Sequence, residues 1–306
     1  MAVLALGACL AAVPASAAAL TVEPEYPVGV TTVTFVEPGR YVELPGHRFV
    51  PRILKTVVRY PALAPEGAVG VRNAEPFEGQ YPLVVFAHGF GVTPETYAAL
   101  LNFWAQSGFV VAAPYFPRTS AGAPGGLDAE DVVNQPRDVS TVITGMEGLS
   151  ASSGNLLSGT LLPGEIAVAG HSDGAETALA AGYARRLRDR RIRADLVFSG
   201  AEIGGTGGYY FGRGTPALFA AQGTADHYNE PRYTYAYFAR AHRPKFLLRL
   251  LGAGHLPPFQ YQQPQLGLVE QASTAFLDRY LLGSVTSGEL VADAWLPRFA
   301  AFTALP

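Results

Sequence analysis

Two kinds of hydrophobic pattern divide the chain near Gly79. Before that residue, apolar and polar positions alternate in the segments TTVTFV (31–36), RYVELP (40–45) and RILKTVVRYPA (52–62). A period of two residues is typical of antiparallel strands with one covered face. After it, the apolar runs become continuous, as in strands that are buried on both faces.

These continuous runs alternate with helical stretches as far as residue 282. The predicted strands are 81–89, 109–114, 165–171, DLVFSG, PALFAAQG and KFLLRLLG, and the predicted helices are 94–106, 131–149, 173–189, about 230–241 and about 265–282. The alternation indicates an α/β fold, with a mostly parallel central sheet, antiparallel N-terminal strands and helices on both faces. Residues 200–215 are too few for a helical cap, so we expect no cap domain and an open site.

Composition favours one exported domain. The chain has 306 residues, 49% of them hydrophobic, and a net charge of −3, which does not suggest a nucleic-acid partner. Residues 1–20 are small and apolar, with A-x-A cleavage sites, and predict a signal peptide before a single domain at 21–306. LGAC (6–9) alternatively resembles a lipoprotein box, with the lipid on Cys9. Both interpretations export the protein, and the segment is too short for an integral membrane span.

A candidate nucleophile lies in GHSDG (170–174), between the predicted strand EIAVAGH and the helix that follows it. A G-x-S-x-G motif in this strand–turn–helix context is typical of a nucleophile elbow, because the glycines leave room for a sharp turn. We therefore predict that Ser172 is a catalytic nucleophile.

Two further motifs follow predicted strands. GTAD ends at Asp226 after PALFAAQ, and GAGH ends at His255 after KFLLRL. The carboxyl ends of parallel strands share one edge of the sheet, so these side chains should meet Ser172 there. His255 would accept the Ser172 proton, and Asp226 would orient the imidazole. His227 competes for the role of base, but it lies beside Asp226 on the same loop.

The loop HGFG (88–91) follows the first continuous strand and should present the backbone N–H of Phe90 opposite that of Asp173. Together these two donors would form an oxyanion hole. A carboxylate close to the oxyanion would oppose its formation, so the Asp173 side chain should turn away, towards the helix terminus or an Arg. We expect His88 and His171 to be structural.

Taken together, PLVVFAHGFG, FVVAAPYFP, QPRDVSTVI, AVAGHSDGAE, GTAD and GAGH resemble the α/β-hydrolase superfamily over about residues 50–282. The likeness is strongest to bacterial proteins similar to platelet-activating-factor acetylhydrolase, chlorophyllase, predicted dienelactone hydrolase and cutinase-like esterases. The resemblance implies the α/β-hydrolase fold. It also implies a triad and two oxyanion donors, which are Ser172, Asp226 and His255, and the N–H groups of Phe90 and Asp173.

The expected function is therefore that of a secreted serine esterase or lipase, a monomer that cleaves a lipid-like or small acyl ester through an acyl-enzyme. No metal-ligand spacing or phosphate loop is present, so we expect no metal and no cofactor. The alternatives are an envelope acyltransferase, a polyester hydrolase similar to cutinase, and an inactive binding protein on the same scaffold.

Three segments remain outside this scheme. Tyr209 and Tyr210 in GGTGGYYFGRG are candidates, with Phe90, for lining the substrate cleft, although a clamp on a surface loop explains the two tyrosines equally well. The run RRLRDRRIR (185–193) is interpreted as a basic helix C-terminus, where cations complement the helix dipole. Residues 283–306 carry no pattern beyond that of a tail beside the sheet.

Overall fold

The computed structural model describes residues 25–284 and 298–306. The predicted signal peptide at 1–20, including Cys9, lies outside the described residues, and export remains a prediction. Within the two described stretches, no helix combines the length and apolar character needed to cross a membrane.

One sheet of ten strands forms the centre of the described structure. The strands are β1 (Val28–Leu44), β2 (Arg48–Pro61), β3 (Val71–Arg72), β4 (Tyr81–Ala87), β5 (Val110–Pro114), β6 (Leu161–His171), β7 (Ile192–Phe198), β8 (Ala217–Gly223), β9 (Lys245–Leu250) and β10 (Ala300–Leu305). Their order across the sheet is β10-β9-β8-β7-β6-β4-β5-β2-β1-β3. Strands β4 to β9 are parallel, and β2 joins β5 in antiparallel fashion. The predicted sheet, with antiparallel strands at its N-terminal side, is confirmed.

Helices cover both faces of this sheet. They are α1 (Ala98–Gln106), α2 (Gln135–Ala151), α3 (Asp173–Tyr183), α4 (Pro231–Arg240) and α5 (Gln265–Leu281). Side chains along β4 alternate between the faces, as the pleat requires. Phe86 packs with Trp104 of α1 on the face that α5 also covers, whereas Val85 packs with Ile143 of α2 on the face shared with α3 and α4. The stretch between β7 and β8 contains no helix, as expected for a fold without a cap domain.

Helix α3 is shorter than predicted, because tertiary pairing overrides its helical sequence. It ends at Tyr183, and the next residue, Ala184, forms a β-bridge with Tyr209. The N–H of Tyr210 donates to the carbonyl of Tyr183 at 2.8 Å. The interpretation of 185–193 as a basic helix C-terminus is therefore wrong, since this run lies beyond the helix and leads into β7.

The C-terminal tail contributes a strand that the sequence did not predict. β10 pairs with β9 in antiparallel fashion and so completes one edge of the sheet. Phe302 of β10 stacks on Phe246 of β9, with 6.1 Å between the ring centroids. The strand that leads to His255 is consequently covered on its outer side.

Candidate active site

The turn between β6 and α3 is a strained elbow. Ser172 occupies it with φ = 58°, a backbone conformation that residues other than glycine rarely adopt. A Cβ on Gly170 would lie 2.1 Å from the carbonyl oxygen of Gly174, and one on Gly174 would lie 2.0 Å from that of Ala87. Only glycine fits at these two positions, and the elbow can therefore pack against β4.

Three predicted residues meet at this elbow. The Oγ of Ser172 lies 2.8 Å from Nε2 of His255, and Nδ1 of His255 lies 2.7 Å from Oδ2 of Asp226. If Nδ1–H donates to the carboxylate, Nε2 is free to accept the hydroxyl proton. His227 is exposed and makes no hydrogen bond within the described structure. The arrangement can transfer a proton from the hydroxyl to the imidazole.

Asp226 is held by its own loop. Its Oδ1 accepts the N–H groups of Tyr228 and Asn229 at 2.9 and 3.1 Å, and Nε2 of Gln222 lies 3.3 Å from Oδ2. Burial opposes ionisation of the carboxyl, but the hydrogen bond and charge of His255, together with the N–H of Tyr228, lower the pKa of Asp226. The carboxylate is thus kept charged and pointed at the imidazole.

His171 connects the two loops that flank the nucleophile. The N–H of Gly89 donates to Oη of Tyr97 at 3.2 Å, and that hydroxyl lies 2.8 Å from Nδ1 of His171. Nε2 of His171 in turn lies 2.9 Å from the carbonyl oxygen of His255. Burial lowers the pKa of His171 to about 3, so the ring is neutral, accepting from Tyr97 and donating to His255.

His88 orders the neighbouring loop in the same way. Its Nδ1 lies 2.8 Å from the carbonyl oxygen of Gly89, and its Nε2 accepts the N–H of Phe116 at 3.2 Å and lies 2.9 Å from Oγ of Ser120. Burial lowers the pKa of His88 to about 4. Both histidines are neutral spacers between loops, in keeping with the structural role expected for them.

The N–H of Phe90 is available next to the nucleophile. Its neighbours Gly89 and Gly91 each donate to a partner, but the amide of Phe90 donates to no acceptor within the described residues. A Cβ on Gly89 would lie 3.2 Å from that of Ser172, so this loop closely approaches the hydroxyl. The amide of Asp173 directly follows Ser172 at the start of α3. An oxyanion between these loops could reach both donors.

Asp173 has no Arg partner among the described residues. Its carboxyl is half-buried, and burial raises its pKa despite the opposing charge of His255. One turn later, burial and the charge of Asp173 raise the pKa of Glu176 to about 8, against a lowering hydrogen bond from Asn229. Two carboxyl groups therefore crowd one another beside the nucleophile. The Arg pairing expected as one option is absent here.

Apolar side chains form the rim of the site. Phe90, Leu127 and Tyr228 are all exposed, and the Tyr228 ring lies 5.3 Å from that of His255. Cδ1 of Leu127 lies 3.5 Å from the place where a Cβ on Gly91 would be. Parts of a bound substrate that extend outwards from the reacting carbonyl would contact this hydrophobic surface.

Of the predicted cleft residues, only Phe90 lies beside Ser172. Tyr209 is buried, and its Oη accepts the N–H of Ile203 at 2.9 Å. Tyr210 faces two arginines in a separate groove, described below. The alternative, a loop clamp, describes both tyrosines better, because their backbone pairs with the end of α3.

Sequence reasoning missed two polar residues that hold the site together. Gln135 accepts the hydroxyl of Thr177 of α3 at 2.7 Å and donates to Oγ1 of Thr119 at 2.8 Å. Tyr97 is the second, through the contact with His171 given above. Neither has a local signal, since each partner is distant in the chain. No cluster of three or more His, Cys, Asp or Glu suited to a metal is found in the described part.

Comparison with known proteins agrees with this architecture. The family model for chlorophyllase matches residues 64–199. Chlorophyllase type 0 of Chenopodium album is 30% identical over 153 residues, which are 47% of this chain and 39% of the relative, so the match spans about two fifths of that protein. The structure of a ferulic acid esterase from Streptomyces cinnamoneus superimposes with a TM-score of 0.66 at 20% identity, covering 96% of this chain and 98% of the other. The predicted α/β-hydrolase fold is confirmed.

Proposed function

We propose that this chain, a member of the α/β-hydrolase superfamily, is a serine esterase that hydrolyses carboxylic esters through an acyl-enzyme. The observation that carries the proposal is the unbroken line of contacts from Asp226 through His255 to Ser172, at 2.7 and 2.8 Å. The relatives named as chlorophyllase and ferulic acid esterase support ester chemistry.

In the first half-reaction, Oγ of Ser172 attacks the ester carbonyl while Nε2 of His255 takes the hydroxyl proton. The carbonyl oxygen becomes an oxyanion and accepts the N–H groups of Phe90 and Asp173, each worth on the order of 3 kcal/mol in such sites. The bond to the alcohol then breaks, and His255 gives its proton to the departing oxygen.

Water completes the cycle. His255 removes a proton from a water molecule, whose oxygen attacks the acyl carbon bound to Ser172. The acid leaves as the serine oxygen recovers its proton from the imidazole. Asp226 stays ionised throughout and stabilises the imidazolium that forms twice, which its lowered pKa favours.

The surroundings of the site favour neutral, apolar esters. Phe90, Leu127 and Tyr228 offer hydrophobic contact to the acyl or alcohol part. Asp173 and Glu176 would repel a carboxylate on the substrate whenever they are ionised. We therefore infer a substrate that is lipid-like or carries a small uncharged acyl group.

The test is hydrolysis of p-nitrophenyl esters from acetate to palmitate, together with covalent labelling by a fluorophosphonate. Wild type should hydrolyse and be labelled, and Ser172→Ala should lose both. Ser152→Ala is the matched control, because Ser152 is exposed at the end of α2. Absence of labelling in wild type, or labelling that survives Ser172→Ala, would reject the proposed nucleophile. Labelling without turnover of any ester would reject the esterase and leave the site with another acyl chemistry.

A further inference from the structure

A second groove, of about 770 Å³, opens at the other end of the sheet. It lies where β8 and β9 begin and α3 ends, whereas Ser172, Asp226 and His255 follow the carboxyl ends of their strands. Its lining residues are Arg185, Tyr209, Tyr210, Phe211, Gly212, Arg240, Ala241, His242, Arg243, Lys245 and Leu305. We call this the cationic groove, because five of these residues are basic and none is acidic.

Two guanidinium groups in the cationic groove have no carboxylate partner. Arg185 lies over the ring of Tyr210, 5.6 Å from its centroid, and neither Arg185 nor Arg243 forms an ion pair or side-chain hydrogen bond within the described residues. Arg188 covers the same ring at 5.3 Å. Of the lining arginines, Arg240 alone is paired within the described part of the chain, with Glu202 at 2.5 Å.

Within the described residues, the charge of this groove is only partly compensated, by the pair of Arg240 with Glu202. The chain holds more acidic than basic residues, 25 against 22, yet Arg185 and Arg243 have no acidic partner among the described residues. Lys245 is buried and donates to the carbonyls of Phe238 and Ala239. Burial lowers the pKa of Lys245, and the neighbouring charge of Arg243 lowers it further. Like charges that disfavour one another are relieved when an anion binds between them.

We propose that the cationic groove binds a phosphate group, with Arg185 and Arg243 as its main donors. A guanidinium presents parallel N–H donors that match the oxygens of a phosphate. The half-buried ring of Tyr210 adds aromatic surface for the group that carries the phosphate. That phosphate belongs either to a small soluble molecule or to a lipid headgroup.

The experiment compares two double variants of equal net charge. Arg185→Gln with Arg243→Gln removes the proposed donors, and Arg48→Gln with Arg72→Gln removes two exposed arginines at the opposite edge of the sheet. Pyrophosphate binding is measured by calorimetry, and vesicle binding by sedimentation with phosphatidate in phosphatidylcholine. Loss of two charged hydrogen bonds should weaken binding by at least about tenfold in the first variant only.

The outcomes show whether the phosphate belongs to a soluble molecule or to a lipid, and whether binding depends on this groove or on net charge. Binding of pyrophosphate identifies a soluble phosphate compound, and binding of phosphatidate vesicles alone identifies a headgroup; either supports the groove. An equal loss of binding in both double variants would mean that binding depends only on net charge, and would overturn the proposal. Failure of both probes to bind the wild-type protein would overturn it too. Ester hydrolysis should be unchanged in both variants, so failure here is distinguishable from failure of the proposed esterase.

Discussion

Asp173 follows the proposed nucleophile, where only its backbone N–H is required. Asp173→Asn keeps that donor and removes the charge, so neutral esters should be hydrolysed at nearly the wild-type rate. Removal of the nucleophile, by contrast, costs at least about a thousandfold in such enzymes. Relative rates on neutral p-nitrophenyl esters measure the difference. A loss as large as that of Ser172→Ala would make the carboxyl itself essential.

The same variant also tests substrate charge. A carboxylate about 5 Å from a substrate anion costs roughly 3 kcal/mol at an effective dielectric near 20. Asp173→Asn should therefore improve kcat/KM for an ester with a carboxylated acyl chain relative to its neutral analogue. Glu176→Gln is the matched comparison one turn further along α3. An unchanged ratio in both variants would show that charge near the elbow does not select the substrate.

Residues with a local motif were predictable, and residues without one were not. Ser172, Asp226 and His255 each lie within five residues of the end of an apolar strand, so their convergence could be predicted from the sheet. Tyr97 acts on His171, which is 74 residues away in the chain. A contact of that kind depends on packing that one sequence does not display.

Two glycines of the helical layer give opposite predictions. Alanine at Gly174 would place its Cβ 2.0 Å from a β4 carbonyl, and we expect a loss of about 2 kcal/mol or more in the free energy of unfolding. Gly148 lies in α2 with open space around it, so alanine there should stabilise by about 0.5–1 kcal/mol. Denaturant melts compare the two. Similar effects at both positions would contradict the close packing of the elbow on β4.

Strand β7 contains a buried carboxyl that has no partner among the described residues. Neither oxygen of Asp195 forms a hydrogen bond within residues 25–284 and 298–306, and burial raises its pKa well above the ordinary value. The folded state thus holds a proton that the unfolded state releases, so stability falls as pH rises above about 4. Asp195→Asn removes this titration and should be at least about 1 kcal/mol more stable than wild type at pH 8.

Denaturant melts at two pH values provide the control for Asp195. Near pH 3 the carboxyl is largely protonated in both states, so the advantage of asparagine should shrink. A difference that is the same at both pH values would mean that the folded protein does not keep Asp195 protonated.

The ends of elements were harder to predict than their order. The sequence after Tyr183 favours a helix, but the helix ends there because the next residue pairs with Tyr209, which lies in a later loop. β10 was missed because its six residues, AAFTAL, lack a strong strand pattern and gain their place from β9. Local propensity is a weak guide wherever another segment supplies the hydrogen bonds.

For the molecule as a whole, two buried neutral histidines set a limit on acid stability. Their pKa values are about 4 for His88 and about 3 for His171, so the unfolded chain takes up protons first as pH falls below about 6.5. The free energy of unfolding should then drop by about 1.4 kcal/mol per pH unit for each histidine. His171→Gln retains a donor for the His255 carbonyl and removes one titration. Its slope between about pH 4 and 6 should be shallower by that amount, and an unchanged slope would show that His171 is not held neutral.

The whole architecture was the most predictable level. The switch near Gly79 from alternating to continuous apolar strands distinguishes edge from centre, because strands buried on both faces are mostly apolar. In the observed order, β1, β2 and β3 lie together at one edge of the sheet, and the strands from β4 to β8 lie in its interior. The two-residue β3 was not predictable, since so short a segment carries no period.

The positive φ at Ser172 lowers the stability of the folded protein, and only the position of the nucleophile requires it. Alanine in its place keeps the unfavourable φ of 58°, whereas glycine adopts it freely. In thermal melts, Ser172→Gly should therefore have a free energy of unfolding about 1–2 kcal/mol higher than that of Ser172→Ala. The elbow therefore lowers the stability of the fold at the one position where the nucleophile must stand, and glycine would relieve that strain.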